Sequence, residues 1–368
     1  MKLSRREFTA LAVSMALASK AVHAAAPNTP SLARALNGKL LFGAAITPGQ
    51  VTVSAPDFIK HHFSVVVAEN AMKPQELTAN GKGEGQYDFS NADAMVDFAV
   101  ANGIKMRGHT LVWHQQTPSW MFTEDGKTVS RETLIARLEK YIADVVGHFK
   151  GRVFAWDVVN EAFSFGESGT RTDDQGMRMS PYREIIGPDY IEIAFRAAAR
   201  ADPEALLFYN DYESQHPRKI EAVSKLVADL KARGVKVDGI GHQAHCSMGH
   251  PDVDTLEWAI GQYAKLGVTQ HITELDIALN ERLTDSEVFE ASPALLKRQA
   301  KRYAEFFRMF LRQRKHVSAV LVWGISDAQS WLRQWPRPRF EAPLLFDEDF
   351  QPKPAFKALL AVAREPLK

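Results

Sequence analysis

Short runs of β-branched and aromatic residues alternate along this chain with longer segments of helical periodicity, and this alternation restricts the fold more than any other feature. The strand candidates are 40–45, 63–68, 105–112, 153–159, 206–209, 237–244, 270–277 and 319–325. Strands that alternate with helices are typical of parallel sheets. Eight such units predict an α/β protein with a single closed (β/α)8 barrel, the TIM barrel.

Helical segments are predicted between these strands, and several begin at Asp, Ser or Pro and end at Gly. They include 92–101, 131–149, 190–201, 220–233, 253–265 and 293–313. Two long irregular stretches, 163–188 and 331–350, follow the predicted fourth and eighth strands, where barrel enzymes carry active-site loops. Because no linker or tandem repeat interrupts the pattern, residues 26–368 are predicted to form one domain.

The charges of the chain nearly cancel, since the sequence contains 45 Lys and Arg residues and 44 Asp and Glu residues. Such a balance provides no overall field that favours nucleic acid or an anionic membrane, and a neutral polymer is a better candidate partner. Cys246 is the only cysteine, which excludes an intramolecular disulfide and a thiolate metal cluster. We expect Cys246 to be a small buried residue.

The first 25 residues resemble an export signal. Ser4-Arg5-Arg6-Glu7-Phe8 has the twin-arginine pattern, and it is followed by the apolar run 11–18, Lys20 and small residues around Val22-His23-Ala24. The apolar run is too short to span a bilayer. The pattern predicts a cleaved twin-arginine-type signal peptide and a periplasmic or secreted mature protein without membrane attachment. The alternative is an uncleaved amphipathic helix.

Polar and aromatic residues recur at the carboxyl ends of the predicted strands, where a purely structural barrel would need only turn residues. They are Glu69, Asn70, Lys73, His109, Trp113, His114, Gln116, Asn160, Glu161, Asn210, Asp211, Tyr212, Gln243, His245, Glu274, Asp276, Trp323 and Trp331. The carboxyl ends of parallel strands meet at one face of a barrel. The pattern therefore predicts a shared site at that face.

Two glutamates among these residues are candidates for paired acid and nucleophile chemistry. Glu161 ends the fourth strand and Glu274 lies in the seventh, which faces it across the barrel. Paired carboxyl groups are typical of glycosidic bond cleavage, in which a separation of about 5–5.5 Å gives retention and a wider gap inversion. We expect Asn160 to hydrogen bond the sugar 2-hydroxyl. His245 and Asp276, with Asn160, are expected to support Glu274 in its ionised form.

Each candidate also has a structural alternative. A buried glutamate can brace a loop through a salt bridge, and large aromatic residues can simply pack the barrel mouth. His109, His114 and His245 could bind zinc, but they lack the short spacing of a zinc motif, so no metal site is expected. Glu69 and Lys73 could be an ordinary surface helix pair.

Five segments of the chain carry recognisable motifs in a fixed order. They are Glu69-Asn-Ala-Met-Lys73, Arg107-Gly-His-Thr-Leu-Val-Trp-His114, Trp156-Asp-Val-Val-Asn-Glu161-Ala, Thr273-Glu274-Leu-Asp276 and Trp323-Gly-Ile-Ser-Asp327. Together they resemble the motifs of glycoside hydrolase family 10, the endo-β-1,4-xylanases, over nearly the whole chain that follows the predicted signal. Any one of these motifs is weak, whereas their ordered combination is highly specific.

This resemblance implies a retaining endo-β-1,4-xylanase with Glu161 as general acid/base and Glu274 as nucleophile. It also implies that xylose units contact Glu69, Asn70, Lys73, His109, Trp113, Gln116, Gln243, Trp323 and Trp331. The strand-end pattern adds Asn160, Tyr212 and His245 to the predicted substrate-binding residues. Family members need no cofactor, although some bind structural calcium. The expected partner is xylan or xylo-oligosaccharide, and the expected state is a monomer.

The chain departs from the family pattern in two places. Pro74 stands where many relatives carry Trp, and the segment 331–340 is longer and more basic than usual. Arg333, Arg337 and Arg339 of that segment are candidates to contact acidic side groups of decorated xylan. Two other functions remain open, namely hydrolysis of cellulose or mannan, and non-catalytic polysaccharide binding. In a xylan-specific site, Lys73 and Trp331 should crowd a hexose hydroxymethyl group.

Overall fold

The eight predicted strands are all present in the computed structural model, which describes residues 29–78, 83–166 and 169–366. The predicted signal peptide lies outside these residues. The strands are β1 Leu41–Ile46, β2 Val65–Ala68, β3 Lys105–Gly108, β4 Val153–Asn160, β5 Leu206–Asp211, β6 Gly239–His242, β7 Thr269–Ala278 and β8 Val317–Val322. Strand β8 pairs in parallel with both β7 and β1, so the sheet closes on itself. The prediction of a TIM barrel is confirmed.

A helix follows each strand and covers the outside of the barrel. The helices are α1 Pro56–His62, α2 Ser90–Ala101, α3 Arg131–His148, α4 Tyr190–Ala201, α5 Pro217–Ala232, α6 Val253–Ala264, α7 Pro293–Arg312 and α8 Pro354–Arg364. Proline occupies the first turn of α1, α5, α7 and α8, where no backbone N–H is required. The hydroxyls of Ser130 and Ser292 accept hydrogen bonds from the first-turn N–H groups of α3 and α7.

Alternate residues of the strands point into the barrel or towards the helices. The inward side chains of β1, β2 and β8, with Trp323 directly after β8, form a small apolar cluster that contains Ala45, Val65, Val67, Ala319, Leu321 and Trp323. Outward residues pack on the helices, as Phe42 does against Phe307 of α7. Gly108 of β3 leaves room for the Trp156 ring, because a Cβ at residue 108 would lie 2.1 Å from that ring.

A buried polar group occupies the barrel interior beneath the carboxyl ends of the strands. Arg107 forms a salt bridge with Asp157, and its guanidinium also lies 2.8 Å from Nδ1 of His271. Burial alone would raise the pKa of Asp157, but Arg107 and His109 hold that pKa below its ordinary value. Because breaking a buried ion pair leaves an uncompensated charge, this group fixes the barrel's inner layer.

Three predicted strands end later in the sequence interpretation than in the structure. Strand β3 ends at Gly108, β6 at His242 and β8 at Val322, whereas the predicted ends were 112, 244 and 325. Ala244 has a left-handed φ of 58°, which interrupts the strand. The chain then resumes as a short strand, His245–Ser247, in which His245 lies opposite Asp276 of β7. The interruption thus brings His245 to the seventh strand.

Cys246 is fully buried, as predicted, and burial raises the pKa of its thiol, so a reactive thiolate is disfavoured. In the part of the chain that the structure describes, no helix combines the length and apolar character needed to cross a membrane.

Candidate active site

Glu161 lies immediately after β4 at the carboxyl face of the barrel. Trp113 donates a hydrogen bond from Nε1 to Oε2 of Glu161 at 2.8 Å. Gln243 donates to Oε1 at 2.8 Å and Asn160 donates to the same oxygen at 3.2 Å. Nδ1 of His114 lies 3.9 Å from Oε2. Side chains from three different strand ends therefore fix this carboxyl group.

The backbone of Glu161 adopts a conformation that is unusual for a glutamate. Its φ is 58°, in the left-handed region. For a residue other than glycine this conformation costs about 1–3 kcal/mol, and it is retained where the surrounding structure imposes it. Such positions concentrate at functional sites. The placement of Glu161 therefore has an energetic cost that the fold must offset.

Glu274 projects from β7 into the same face, and its side chain is only 5% exposed. Asn210 donates from Nδ2 to Oε1 of Glu274 at 2.8 Å, and Nε2 of His245 lies 3.1 Å from Oε2. Nδ1 of His245 lies 3.0 Å from Oδ2 of Asp276, which also accepts a hydrogen bond from Nε1 of Trp331 at 2.8 Å. Glu274 is thus held by an amide and by a histidine that Asp276 orients.

The electrostatics around Glu274 favour its ionised form. Burial alone would raise the pKa of Glu274, but the hydrogen bond from His245 and the charges of His109 and His245 lower it below its ordinary value. Burial alone would lower the pKa of His245, but Asp276 and Glu274 together raise it to about 10. At neutral pH, His245 is therefore a cation between two carboxylates, and Glu274 carries a negative charge.

A chain of side-chain amides connects the two glutamates. Asn160 contacts Glu161, and its Oδ1 accepts hydrogen bonds from Asn210 at 2.9 Å and from Gln243 at 3.2 Å. The same Nδ2 of Asn210 that contacts Asn160 also donates to Glu274. Asn160, which the sequence interpretation named as a support of Glu274, therefore reaches that carboxyl group through Asn210, and Asn210 makes the direct hydrogen bond. The sequence interpretation noted Asn210 at its strand end and assigned it no role.

Lys73 organises a second group beside the glutamates. Its Nζ donates to Oδ1 of Asn70 and to Oε1 of Gln116, both at 2.9 Å, and lies 4.9 Å from the Trp113 ring centre. Burial lowers the pKa of Lys73, while Glu274 and Glu69 oppose that shift. Because Lys73 is only 6% exposed, the alternative of an ordinary surface helix pair is wrong.

Glu69 belongs to the same group as Lys73, and the charge of each residue opposes the pKa shift that burial causes in the other. Burial raises the pKa of the Glu69 carboxyl, and the charge of Lys73 opposes the rise. Pro74 begins a short helix, Pro74–Leu77, directly after Lys73. The segment between β2 and α2 thus directs charged and amide groups towards the glutamates.

His109 and Trp323 form one wall of the site. Nδ1 of His109 lies 3.0 Å from Oδ2 of Asp157, and its ring centre is 5.4 Å from that of Trp323. Trp323 in turn lies 6.3 Å from the His245 ring. Both histidines are engaged with carboxylates. Among the described residues, no group of three or more His, Cys, Asp or Glu side chains is arranged to hold a metal ion.

Tyr212 lies on the Glu161 side of the site. Its hydroxyl accepts a hydrogen bond of 2.8 Å from Nη2 of Arg178, and Nζ of Lys219 lies 3.7 Å from its ring centre. Arg178 also donates from Nε to the backbone oxygen of Glu161 at 3.2 Å. Arg178 belongs to the long loop after β4, and the sequence interpretation did not single it out.

The three arginines of the segment 331–340 have partners within the protein. Arg333 pairs with Glu348, and Arg337 donates to the hydroxyl of Ser286. Arg339 has a side chain that is only 2% exposed and pairs with Glu341 at 3.3 Å. The hypothesis that all three contact acidic groups of the substrate is therefore wrong for Arg339, which braces the loop from inside.

The pairing of His245 predicts a defined dependence of stability on pH. Its folded pKa of about 10 exceeds the ordinary value of 6.5, so its stabilisation is fully present below pH 6.5 and is lost as the pH rises to 10. His245→Gln removes this contribution. The difference in Tm between wild type and this variant is therefore expected to shrink across that interval. Thermal unfolding at both ends measures it, and a constant difference would contradict the assignment.

A (β/α)8 barrel that carries two opposed glutamates at its carboxyl face, one of them held ionised, defines the class of barrel glycoside hydrolases. The sequence profile described as Glycosyl hydrolase family 10 matches residues 31–362. The chain belongs to this family.

Individual relatives agree with this assignment. An endo-1,4-beta-xylanase A from Caldicellulosiruptor sp. strain Rt8B.4 is 41% identical over 90% of this chain, which spans 48% of that relative. A thermostable celloxylanase from Thermoclostridium stercorarium is 41% identical over 92% of this chain and 89% of its own length. The crystal structure of xylanase B from Clostridium stercorarium F9 superposes with a TM-score of 0.84 at 41% identity, covering 90% of this chain and 99% of that one.

Proposed function

We propose that this protein is a retaining endo-β-1,4-xylanase in which Glu161 is the general acid/base and Glu274 the nucleophile. The observation that carries the proposal is the contrast between the two carboxyl settings. Glu274 is kept ionised by His245, whereas Glu161 lies beside the indole of Trp113 and two amides. Relatives named as xylanases support xylan as the substrate.

In the first step, Glu274 attacks the anomeric carbon of the xylose unit while Glu161 transfers its proton to the glycosidic oxygen. The bond between the anomeric carbon and that oxygen breaks, which releases one part of the chain as an alcohol. A covalent xylosyl ester on Glu274 remains. Because Asn210 and His245 hold both oxygens of Glu274, the attacking carboxylate needs little reorientation.

In the second step, Glu161 is ionised and accepts a proton from water, which attacks the anomeric carbon and displaces Glu274. The two displacements restore the original configuration. Gln243, Asn160 and Trp113 donate hydrogen bonds to Glu161, which suits its carboxylate form at this stage. Asn160 and Asn210 lie between the two carboxyl groups, where an amide could also bond the sugar 2-hydroxyl.

Substrate binding is assigned to the polar and aromatic side chains that surround the two glutamates. Lys73, Asn70 and Gln116 form a hydrogen-bonded group with donors and acceptors suited to sugar hydroxyls. Trp331 is fixed by Asp276 and by its packing on His245, with ring centres 4.8 Å apart. The remaining binding residues are proposed to be Glu69, His109, Trp113, Asn160, Tyr212, Gln243, His245 and Trp323.

We expect kcat/KM for xylan to exceed that for soluble cellulose by about 10- to 200-fold, the range that one small substituent confers in a tight pocket. The reason is that Lys73 and the fixed Trp331 ring crowd the hydroxymethyl group that glucose has and xylose lacks. Trp331→Ala should narrow the ratio. Trp258→Ala, which removes an exposed indole on α6, should leave the ratio unchanged. Reducing-end assays on both polymers measure it.

Cellulose is the second candidate substrate, because one relative is named a celloxylanase. Comparable turnover of the two polymers by the wild type would favour that function and contradict xylan specificity. Failure to cleave either polymer would instead favour non-catalytic polysaccharide binding.

We also propose that residues 1–25 are a cleaved twin-arginine-type signal and that residues 26–368 form the mature single-domain enzyme, exported to the periplasm or beyond. The support is the Arg5-Arg6 pair and the short apolar run that follows it. The mass of the chain recovered outside the cytoplasm tests this proposal, since an intact N-terminus there would contradict it.

A further inference from the structure

Three hydrogen bonds surround the left-handed backbone of Glu161. The N–H of Glu161 donates to the oxygen of Asn210 at 2.9 Å, and Nε of Arg178 donates to the oxygen of Glu161 at 3.2 Å. The next N–H, that of Ala162, donates to the hydroxyl of Tyr209 at 3.1 Å. Two of these three contacts therefore come from side chains.

Both side chains are themselves held in place. The backbone N–H of Arg178 donates to the oxygen of Ala162 at 2.8 Å, and its Nη2 donates to the hydroxyl of Tyr212 at 2.8 Å. The hydroxyl of Tyr209 donates to Oδ2 of Asp211 at 2.5 Å. Arg178 thus ties the β4 loop to Ala162 through its backbone and to Glu161 through its guanidinium.

Asp211 is anchored in turn. Its Oδ1 accepts a hydrogen bond from Nζ of Lys219 at 2.8 Å, and both side chains are 2% exposed. Burial raises the pKa of Asp211 to about 6, although Lys219 and Tyr209 oppose the rise. The hydroxyl of Tyr209 thus has a fixed acceptor, and its own oxygen is directed at the N–H of Ala162.

We propose that Arg178 and Tyr209 are positioning residues that hold the acid/base carboxyl in its working orientation, an inference that rests on the proposed function of Glu161. A left-handed residue other than glycine persists only where its surroundings impose that conformation. If φ relaxed to the ordinary negative range, the Cα to Cβ direction of Glu161 would turn away from Trp113 and Gln243. The carboxyl would then lose its alignment with the leaving oxygen.

The test compares two substrates that differ only in leaving group, phenyl β-xylobioside and 2,4-dinitrophenyl β-xylobioside. Departure of phenol requires protonation, whereas dinitrophenolate leaves without it. Arg178→Ala and Tyr209→Phe are each expected to reduce kcat/KM for the phenyl substrate by about 10- to 100-fold, because a displacement of about 1 Å can have that effect. With the dinitrophenyl substrate, kcat/KM should change little.

Arg183→Ala is the matched control. Arg183 lies in the same connection between β4 and α4, in the short helix Pro181–Ile185, and its Nη2 bonds Asp173 at 3.0 Å, but its described contacts do not include Glu161. This variant should affect both substrates alike or not at all. Arg178→Lys keeps the charge but cannot reach both acceptors, so it should restore only part of the lost rate. If Arg178→Ala does not fold, as judged by thermal unfolding, Tyr209→Phe and Arg178→Lys carry the test.

The outcomes separate this inference from the proposed function. Equal losses on both substrates, or no loss on either, in Arg178→Ala and Tyr209→Phe would overturn the positioning role. Glu161→Ala is measured in parallel. If it shows the leaving-group difference and the other two variants do not, only the inference fails. If Glu161→Ala itself lacks that difference, the acid/base assignment fails, and the positioning role fails with it.

Discussion

Glu274→Ala is expected to reduce kcat on xylan by about 10⁵-fold or more, which is the typical loss of kcat when the nucleophile of a covalent mechanism is removed. The variant lacks the carboxylate that attacks the anomeric carbon, and no other described carboxyl group occupies the position held by Asn210 and His245. Water has no equivalent alignment or charge at that point. Release of reducing ends from xylan measures the loss.

Glu281→Ala is the control for the Glu274 variant. Glu281 lies in the loop just beyond β7, its side chain is 62% exposed, and it pairs with Arg298 at 3.0 Å. Removing this surface pair should leave kcat nearly unchanged. Added azide should partly rescue Glu274→Ala, because a small anion can enter the vacated space. Attack from that side produces the inverted α-xylosyl azide. Xylan hydrolysis by Glu274→Ala at the wild-type rate would contradict the nucleophile assignment.

Glu161→Ala is expected to lose about 10²- to 10⁴-fold in kcat/KM for xylan, the range that general acid catalysis contributes. The loss should be small for a substrate such as 2,4-dinitrophenyl β-xylobioside, whose leaving group needs no proton. With that substrate kcat should still fall, because the second step lacks its base and the xylosyl enzyme accumulates. Initial rates with both substrates, including the burst phase, measure this difference.

Added azide also distinguishes Glu161→Ala from Glu274→Ala, because the two variants form different anomers of the xylosyl azide. In Glu161→Ala the anion attacks the xylosyl enzyme from the side that water normally uses, so the product is the β-xylosyl azide. Glu184→Ala is a suitable control, since Glu184 lies in the short helix Pro181–Ile185 between β4 and α4 and forms a surface pair with Arg171 at 3.0 Å. It should behave as wild type on both substrates. Equal losses of Glu161→Ala on both substrates would show that Glu161 is not the acid.

The barrel was predictable from the sequence because its signal is local. A strand buried on both faces needs a run of apolar residues, and a covering helix needs one apolar side. Strand ends are set by contacts distant in sequence. Nothing in the identity of Ala244 indicates its φ of 58°, which depends on pairing between His245–Ser247 and β7. The end of β6 was therefore predicted two residues late.

The site was predictable in its residue types and less so in its contacts. Strand-end position brought Glu161, Glu274 and His245 together, since parallel strands present their carboxyl ends at one face. Which amide bonds Glu274 directly depends on side-chain geometry across the barrel, so Asn160 was named as a support of Glu274 while Asn210 was assigned no role. Arg178 was not singled out because its link to Glu161 depends on the path of an irregular loop.

The central claim is that Glu274 forms a covalent bond to the substrate. A 2-deoxy-2-fluoro-xylobioside with a dinitrophenyl leaving group tests it directly, because fluorine at carbon 2 slows both steps while the good leaving group still permits the first. Mass spectrometry of the treated enzyme and its peptides should find one added fluoroxylobiosyl group on the peptide that contains Glu274. An unlabelled enzyme that still turns over xylan, or a label on another carboxyl group, would contradict the account.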